Sequence, residues 1–257
     1  MVLDSDDHEH FIRYGYLVIR QAVPADLTTA AVLALEAEPE DHRHGLEAVA
    51  ACTTEKMLDA IDELFGPGYT LQRRRGGSDM PRPYQQGEPW PDPVAHVDDS
   101  YPSMMPNGWA VGSFIFLTDV QYHGGAFIYF PGSYMRYREE MARNCGAIKG
   151  AAPLPEFSGH YEEYLAQAGD VLLFHHLTGH TGSTNVTDHN TRHAILNRWH
   201  PVEMVNPGDK PFERMTTIEK VNSARYLSTR LDQFLSVLRA PITKAEELIL
   251  KDGIVLC

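Results

Sequence analysis

His96-Val97-Asp98 sets an imidazole and a carboxylate two residues apart. In an extended strand such residues project to the same side, so both can reach one metal ion. One more histidine, from a later strand, would complete two imidazoles and a carboxylate on one face of an octahedron. That set suits iron(II) and leaves three positions open, two for a bidentate 2-oxo acid and one for O2. His175, His176 and His180 all lie in the downstream segment Gly169 to Asn185 that could deliver it. Asp99 is the rival carboxylate, but at three residues from His96 it points to the opposite side of a regular strand. Arg192 follows on the next strand-like run, and its planar fork matches a carboxylate, here the distal one of 2-oxoglutarate. It alternates with Ala194 and Leu196, which directs it inward; a surface arginine is the plain alternative. A bare His-x-Asp string is a weak signal and by itself reads as two solvated loop side chains.

The elements that would position these groups alternate in type. Residues 5 to 65 read as mostly helical, with Leu, Ala, Met and Ile at helical spacing over Asp26 to Glu38 and Thr54 to Phe65, and a strand-like run at Tyr16 to Ile19. From Tyr69 to about His200 the pattern becomes short strands: Tyr69 to Arg75, Trp109 to Asp119, Ala126 to Phe130, Val171 to His175 and Arg192 to Trp199. Gly, Pro, Asn and Asp clusters separate them, as in an antiparallel sandwich or barrel. Lys220 to Leu238 and Lys244 to Lys251 return to helix, packed outside the β core. The expected fold is mainly β with flanking helices, in a single domain: a helical flank over 1–68, a β core over 69–201 and a C-terminal helical extension over 202–257. The Pro-rich run Pro81 to Pro93 leads into the His-x-Asp motif and reads as a loop over the site.

Composition narrows the partners. The chain of 257 residues carries 22 Lys and Arg against 35 Asp and Glu, a formal charge of -13 that disfavours nucleic acid. Three scattered cysteines, Cys52, Cys145 and Cys257, suggest neither a disulfide framework nor a Cys-rich zinc site and suit a reducing, cytoplasmic compartment. Met1 to His10 is acidic and polar, unlike a secretory signal, and apolar runs such as Val171 to Phe174 are far shorter than a membrane span. The C-terminal helices could form a homodimer contact. The cluster His8, Glu9, His10 sits in a polar helix start, where solvated side chains are the default.

Taken together, several segments resemble the phytanoyl-CoA dioxygenase family of iron(II) and 2-oxoglutarate-dependent oxygenases. They are Phe11 to Ile19, His96-Val97-Asp98, Leu117-Thr118-Asp119-Val120 to Gly124-Gly125-Ala126, Pro131-Gly132-Ser133, and Gly169-Asp170 to Arg192. The resemblance implies a double-stranded β-helix, or jelly roll. It implies His96, Asp98 and His180 as iron ligands, with no catalytic side chain beyond them, and Arg192 as partner of the distal carboxylate of 2-oxoglutarate. His180 is favoured over His175 and His176 because it precedes Thr181-Gly182-Ser183-Thr184-Asn185, similar to the family's sequence after its ligand. The loop from His180 to Arg192 is slightly longer than the family's, which calls for a small bulge, and Tyr134 stands where the family often has His. The activity implied is oxidation of a small organic substrate with O2, releasing succinate and CO2. Hydroxylation, desaturation or ring formation rank above halogenation, because Asp98 occupies the position a halide would need.

Three other readings share parts of this pattern. A cupin-like isomerase or thiol dioxygenase would show more histidine ligands and need no Arg192. A non-catalytic small-molecule binding protein would keep only the fold, and a zinc hydrolase would not need the oxo-acid anchor. Gln72, Arg74, Tyr101, Met104, Trp109 and Tyr134 are the candidate substrate-lining residues. The one dense cationic run, Arg73-Arg74-Arg75, splits between two faces of a strand, which favours a free small molecule over a coenzyme A thioester.

Overall fold

Alternation along the strands decides the architecture. In the segment Val171–His175, Val171 and Leu173 belong to one buried cluster and Leu172 and Phe174 to another, so the strand is covered on both faces. This is a sheet buried between two layers. The computed structural model describes residues 1–71, 75–97, 111–134, 136, 161–202 and 210–221.

In chain order the strands are β1 (Tyr16–Ile19), β2 (Ser78–Asp79), β3 (Val111–Phe116), β4 (Phe127–Tyr129), β5 (Glu162–Tyr164), β6 (Val171–His175), β7 (His180–Gly182) and β8 (Ala194–Trp199). They form an antiparallel five-stranded sheet of order β1-β6-β3-β8-β2 and an antiparallel three-stranded sheet of order β5-β4-β7. Phe114, Phe116, Leu172, Phe174 and Ala194 of the larger sheet meet Phe127 of the smaller, an aromatic-rich core between the two. The other face of the larger sheet, with Leu17, Ile19, Val111, Ile115, Leu173, Ile195 and Trp199, packs on the helices. The fold is the jelly roll with flanking helices expected from the sequence.

The helices form where local signals start and stop them. Asp4 caps α1 (Ser5–Tyr14) by accepting from the N–H groups of Asp6 and Asp7, and Gly15 closes it in the left-handed conformation. Helix α2 spans Ala25–Ala37 and the short α3 spans Glu47–Ala51. Thr54 caps α4 (Glu55–Phe65), whose Met57, Leu58, Ile61, Leu64 and Phe65 are buried at helical spacing. A short α5 (Thr217–Val221) packs on α1 and α4.

Two of the expected segments lie partly or almost wholly outside the described residues. Of the strand expected over Tyr69 to Arg75, residues 72–74 lie outside the described residues; Leu71 bridges Pro201, and β2, after Gly76-Gly77, pairs with β8. The helices expected at Lys220 to Leu238 and Lys244 to Lys251 lie almost wholly outside the described residues. Among the described residues no helix is long and apolar enough to cross a membrane.

Candidate functional site

His96 and His180 are brought together by the backbone. They face each other across an antiparallel bridge, with His96 N donating to His180 O at 3.0 Å and His180 N to His96 O at 2.9 Å. Opposed residues in such a bridge project to the same face, and the two imidazole centroids are 4.7 Å apart. Two imidazoles on one ion, each bonded through nitrogen at roughly 2.1 Å, need rings this close. His180 Nδ1 lies 3.0 Å from Thr178 O. A carbonyl only accepts, so Nδ1 carries the proton, and Nε2 is the nitrogen left to bind a metal ion. Asp98, two residues after His96, lies outside the described residues, among which no three His, Cys, Asp or Glu side chains gather in a metal-holding group.

Aromatic rings fix the His180 imidazole from two sides. Phe127 stacks on it, with centroids 5.1 Å apart and planes 11° apart, and Phe174 approaches to 4.8 Å. The ring of Phe174 needs the absence of a side chain at Gly112, its register partner on β3, where a Cβ would fall 2.2 Å from the ring. His180 therefore faces the inter-sheet core. His175 and His176, the rival histidines, are both buried at the end of β6. His175 alternates with Val171 and Leu173 toward the helical side, and its Nδ1 accepts from Leu177 N at 3.2 Å.

Arg192 enters from just before β8 and is buried, with 3% of its surface exposed. Its Nε donates to Gly125 O at 2.8 Å and its Nη1 to Met80 O at 2.9 Å. Burial, reinforced by the nearby charge of Arg82 and offset by Asp79, lowers its pKa to about 9. The guanidinium stays charged at neutral pH, so an anion brought to it would relieve the cost of that burial. Arg82 pairs with Arg192 across another antiparallel bridge, each backbone N–H donating to the other's carbonyl, at 2.8 and 3.0 Å. Asp79, the nearby carboxylate, is engaged by His193 Nδ1 at 3.1 Å and Arg43 Nη1 at 3.3 Å.

Sequence reasoning did not single out Arg82, because it lies in a Pro-rich run read as loop. Its flanks, Pro81 and Pro83, hold a signal that could have found it: the residue before a proline is biased toward extended backbone, ready for the pairing it makes. Of the expected substrate-lining residues, Gln72, Arg74, Tyr101, Met104 and Trp109 lie outside the described residues. Tyr134 is not placed on the inter-sheet face. It is fully buried in the cluster that the helices cover, beside Gly15 and His175, and its hydroxyl donates to Ile12 O.

Solved structures share this architecture. HygX from Streptomyces hygroscopicus, determined with nickel and 2-oxoglutarate bound, is 18% identical with a TM-score of 0.54, over 78% of this chain and 88% of that one. SnoK, a non-heme alpha ketoglutarate dependent carbocyclase from nogalamycin biosynthesis, is 18% identical with a TM-score of 0.56, over 80% of this chain and 89% of that one. SnoN, a non-heme alpha ketoglutarate dependent epimerase from nogalamycin biosynthesis, is 15% identical with a TM-score of 0.52, over 76% and 79%. At these identities the likeness is one of fold. Comparison with curated proteins gives no match. The sequence model of phytanoyl-CoA dioxygenase matches residues 34–194, a span that takes in both bridged histidines and the buried Arg192. More than half of the sequence thus fits one family, in the stretch that builds the inter-sheet site, and this chain belongs to the phytanoyl-CoA dioxygenase family.

Proposed function

We propose that this protein is an iron(II)- and 2-oxoglutarate-dependent oxygenase that hydroxylates a small organic molecule and releases succinate and CO2. The observation that carries the reading is the bridged pair of His96 and His180, its rings 4.7 Å apart on the face where the two sheets meet. In this reading His96, Asp98 and His180 hold the metal, a donor set of two imidazoles and one carboxylate that suits iron(II). Bound iron(II) and 2-oxoglutarate would supply the oxidising chemistry with O2.

The chain's own part is positioning. Thr178 O holds the proton on His180 Nδ1 and so keeps Nε2 as the donor atom. Phe127 and Phe174 set the plane of that ring and line the site with apolar surface, which restricts bulk water. Arg192 binds the distal carboxylate of 2-oxoglutarate, its fork held in direction by Gly125 O and Met80 O. The family membership and the 2-oxoglutarate seen in HygX support the same cofactor here.

The substrate is a free small molecule. In the Arg73-Arg74-Arg75 run, Arg75 is already engaged by Glu55 and by Thr53 O, which leaves fewer cations for the phosphates of a coenzyme A handle. SnoK and SnoN are described as a carbocyclase and an epimerase, so the product must be identified directly. The test is succinate formation with added iron(II) across a panel of free acids, amino acids, alcohols and acyl-coenzyme A esters, with mass analysis of the product. A mass gain of one oxygen on a free molecule supports the reading. Stimulation by the thioesters alone, or a product without added oxygen, would reject the substrate class or the hydroxylation respectively.

A further inference from the structure

We propose that Arg82 is a second anion-binding residue of this site, closing with Arg192 on a single carboxylate, that of the 2-oxo acid farthest from the metal. The inference rests on the functional reading above and adds to it a residue from outside the motif that suggested that reading.

Backbone pairing makes the two guanidinium groups neighbours. Arg82 and Arg192 are directly opposed in an antiparallel bridge, so their side chains leave the backbone on one face. Arg192 is held at Nε and Nη1 by carbonyl oxygens, and among the described residues its Nη2 has no protein partner. The guanidinium of Arg82 makes no hydrogen bond or ion pair to any described residue, although burial presses on its charge. Two like charges side by side in a partly dry place raise each other's cost. The carboxylate whose charge offsets that of Arg192, Asp79, already serves His193 and Arg43. A carboxylate lying between the forks would give both groups the counter-charge they lack.

The slot that Arg82 occupies is shaped for it. A Cβ on Gly182 would lie 2.6 Å from Arg82 Nη2, and one on Gly125 would lie 2.7 Å from Arg82 Cβ. Two glycines therefore leave the room through which this side chain passes. Gly182 is two residues beyond His180 on β7, so its missing side chain would have pointed to the same face as the His180 ring. The guanidinium thus lies over the strand that carries His180, roughly 6.6 Å along it at about 3.3 Å per residue. The carbon chain of a five-carbon diacid is of similar reach, roughly 5 Å from four bonds of about 1.5 Å. A diacid with its oxo end near His180 would put its far carboxylate beside Arg82 and Arg192. Two cations at that end also select against 2-oxo acids without a second carboxylate.

The experiment is calorimetric titration of the iron(II)-loaded protein with 2-oxoglutarate under anaerobic conditions. It compares wild type, Arg82→Gln, Arg82→Lys and Gly182→Ala, with thermal melting of each in the presence and absence of succinate. Loss of one charge-assisted contact should weaken 2-oxoglutarate binding roughly 10- to 100-fold in Arg82→Gln. Arg82→Lys should fall between, and Gly182→Ala, which displaces only the far end of a flexible side chain, should also weaken binding. Melting of Arg82→Gln without ligand should be no lower than wild type, because a repulsion is removed, while its stabilisation by succinate shrinks. Wild-type affinity in Arg82→Gln overturns the proposal and leaves the functional reading standing. A lower melting temperature with the succinate shift intact overturns it too, since Arg82 would then serve only the fold. Wild-type protein that takes up no 2-oxoglutarate overturns the functional reading itself.

Discussion

A methyl group added at Gly112 tests whether the packing on β3 really sets the geometry around His180. In Gly112→Ala the new Cβ would stand 2.2, 2.5 and 2.7 Å from Phe174 Cζ, Cε1 and Cε2. The backbone needs no adjustment, since Gly112 lies in an ordinary six-residue strand and the cost is steric. The ring of Phe174 cannot yield easily: it is 1% exposed, with Phe114 at 5.9 Å, Phe127 at 5.3 Å and His180 at 4.8 Å between centroids. Overpacking of this kind costs about 2 kcal/mol. For a chain of this size that lowers the melting temperature by roughly 4 to 8 °C. Displacement toward His180 should also weaken metal binding roughly tenfold, the usual scale for disturbing the support of a ligand. Melting curves and metal titration of Gly112→Ala, Phe174→Leu and the double variant give the coupling, expected to exceed about 1 kcal/mol because the smaller side chain makes room for the methyl. Additive losses, or a Gly112→Ala protein that melts and binds metal like wild type, would refute this reasoning.

Two further outcomes follow from buried charges. Asp170 is fully buried; burial alone would raise its pKa, but bonds from Gln21 N, Tyr164 OH, Gln167 N and Arg20 Nη1 hold it below the ordinary value. A carboxyl whose folded pKa is depressed stabilises above its unfolded value, near 3.9, and loses that contribution as pH falls through the folded one. Asp170→Asn should therefore melt lower than wild type, by about 1–3 kcal/mol at pH 7, with a gap that is flat from pH 7 to about 5 and narrows below about 4; a gap constant to pH 3 contradicts the assignment. Arg192→Ala should raise the concentration of 2-oxoglutarate needed for half-saturation by roughly two decades, since a buried charge pair loses one partner. Iron affinity should change far less, and an unchanged 2-oxoglutarate titration would move the anchor elsewhere, with Arg198 next.

Long apolar alternation was legible in the sequence, and short pairing was not. Val171 to His175 and Thr54 to Phe65 announce a strand and a helix through five or more buried positions, and the structure has β6 and α4 there. Strand β7 is only His180, Thr181 and Gly182, with no apolar pattern; its existence depends on Tyr129 and Phe127 across the sheet. The sequence could bring His180 near His96 only through family resemblance, because a bridge between residues so far apart leaves no local trace. Arg82 was missed for a related reason: the two prolines beside it suit a sheet edge as well as a loop, and only its pairing with Arg192 decides between them. Tyr134 shows the opposite failure, an aromatic residue near a motif whose ring fills the core instead.

The most direct measurement is succinate formation from 2-oxoglutarate as iron(II) is titrated into metal-free protein, for wild type and for His96→Ala, Asp98→Ala and His180→Ala. If these three side chains are the metal's protein ligands, succinate from wild type rises with iron and levels off near one ion per chain. Each variant should stay at background while keeping a wild-type circular dichroism spectrum. Succinate formed without iron, or formed undiminished by His180→Ala and lost instead in His175→Ala or His176→Ala, would contradict the account.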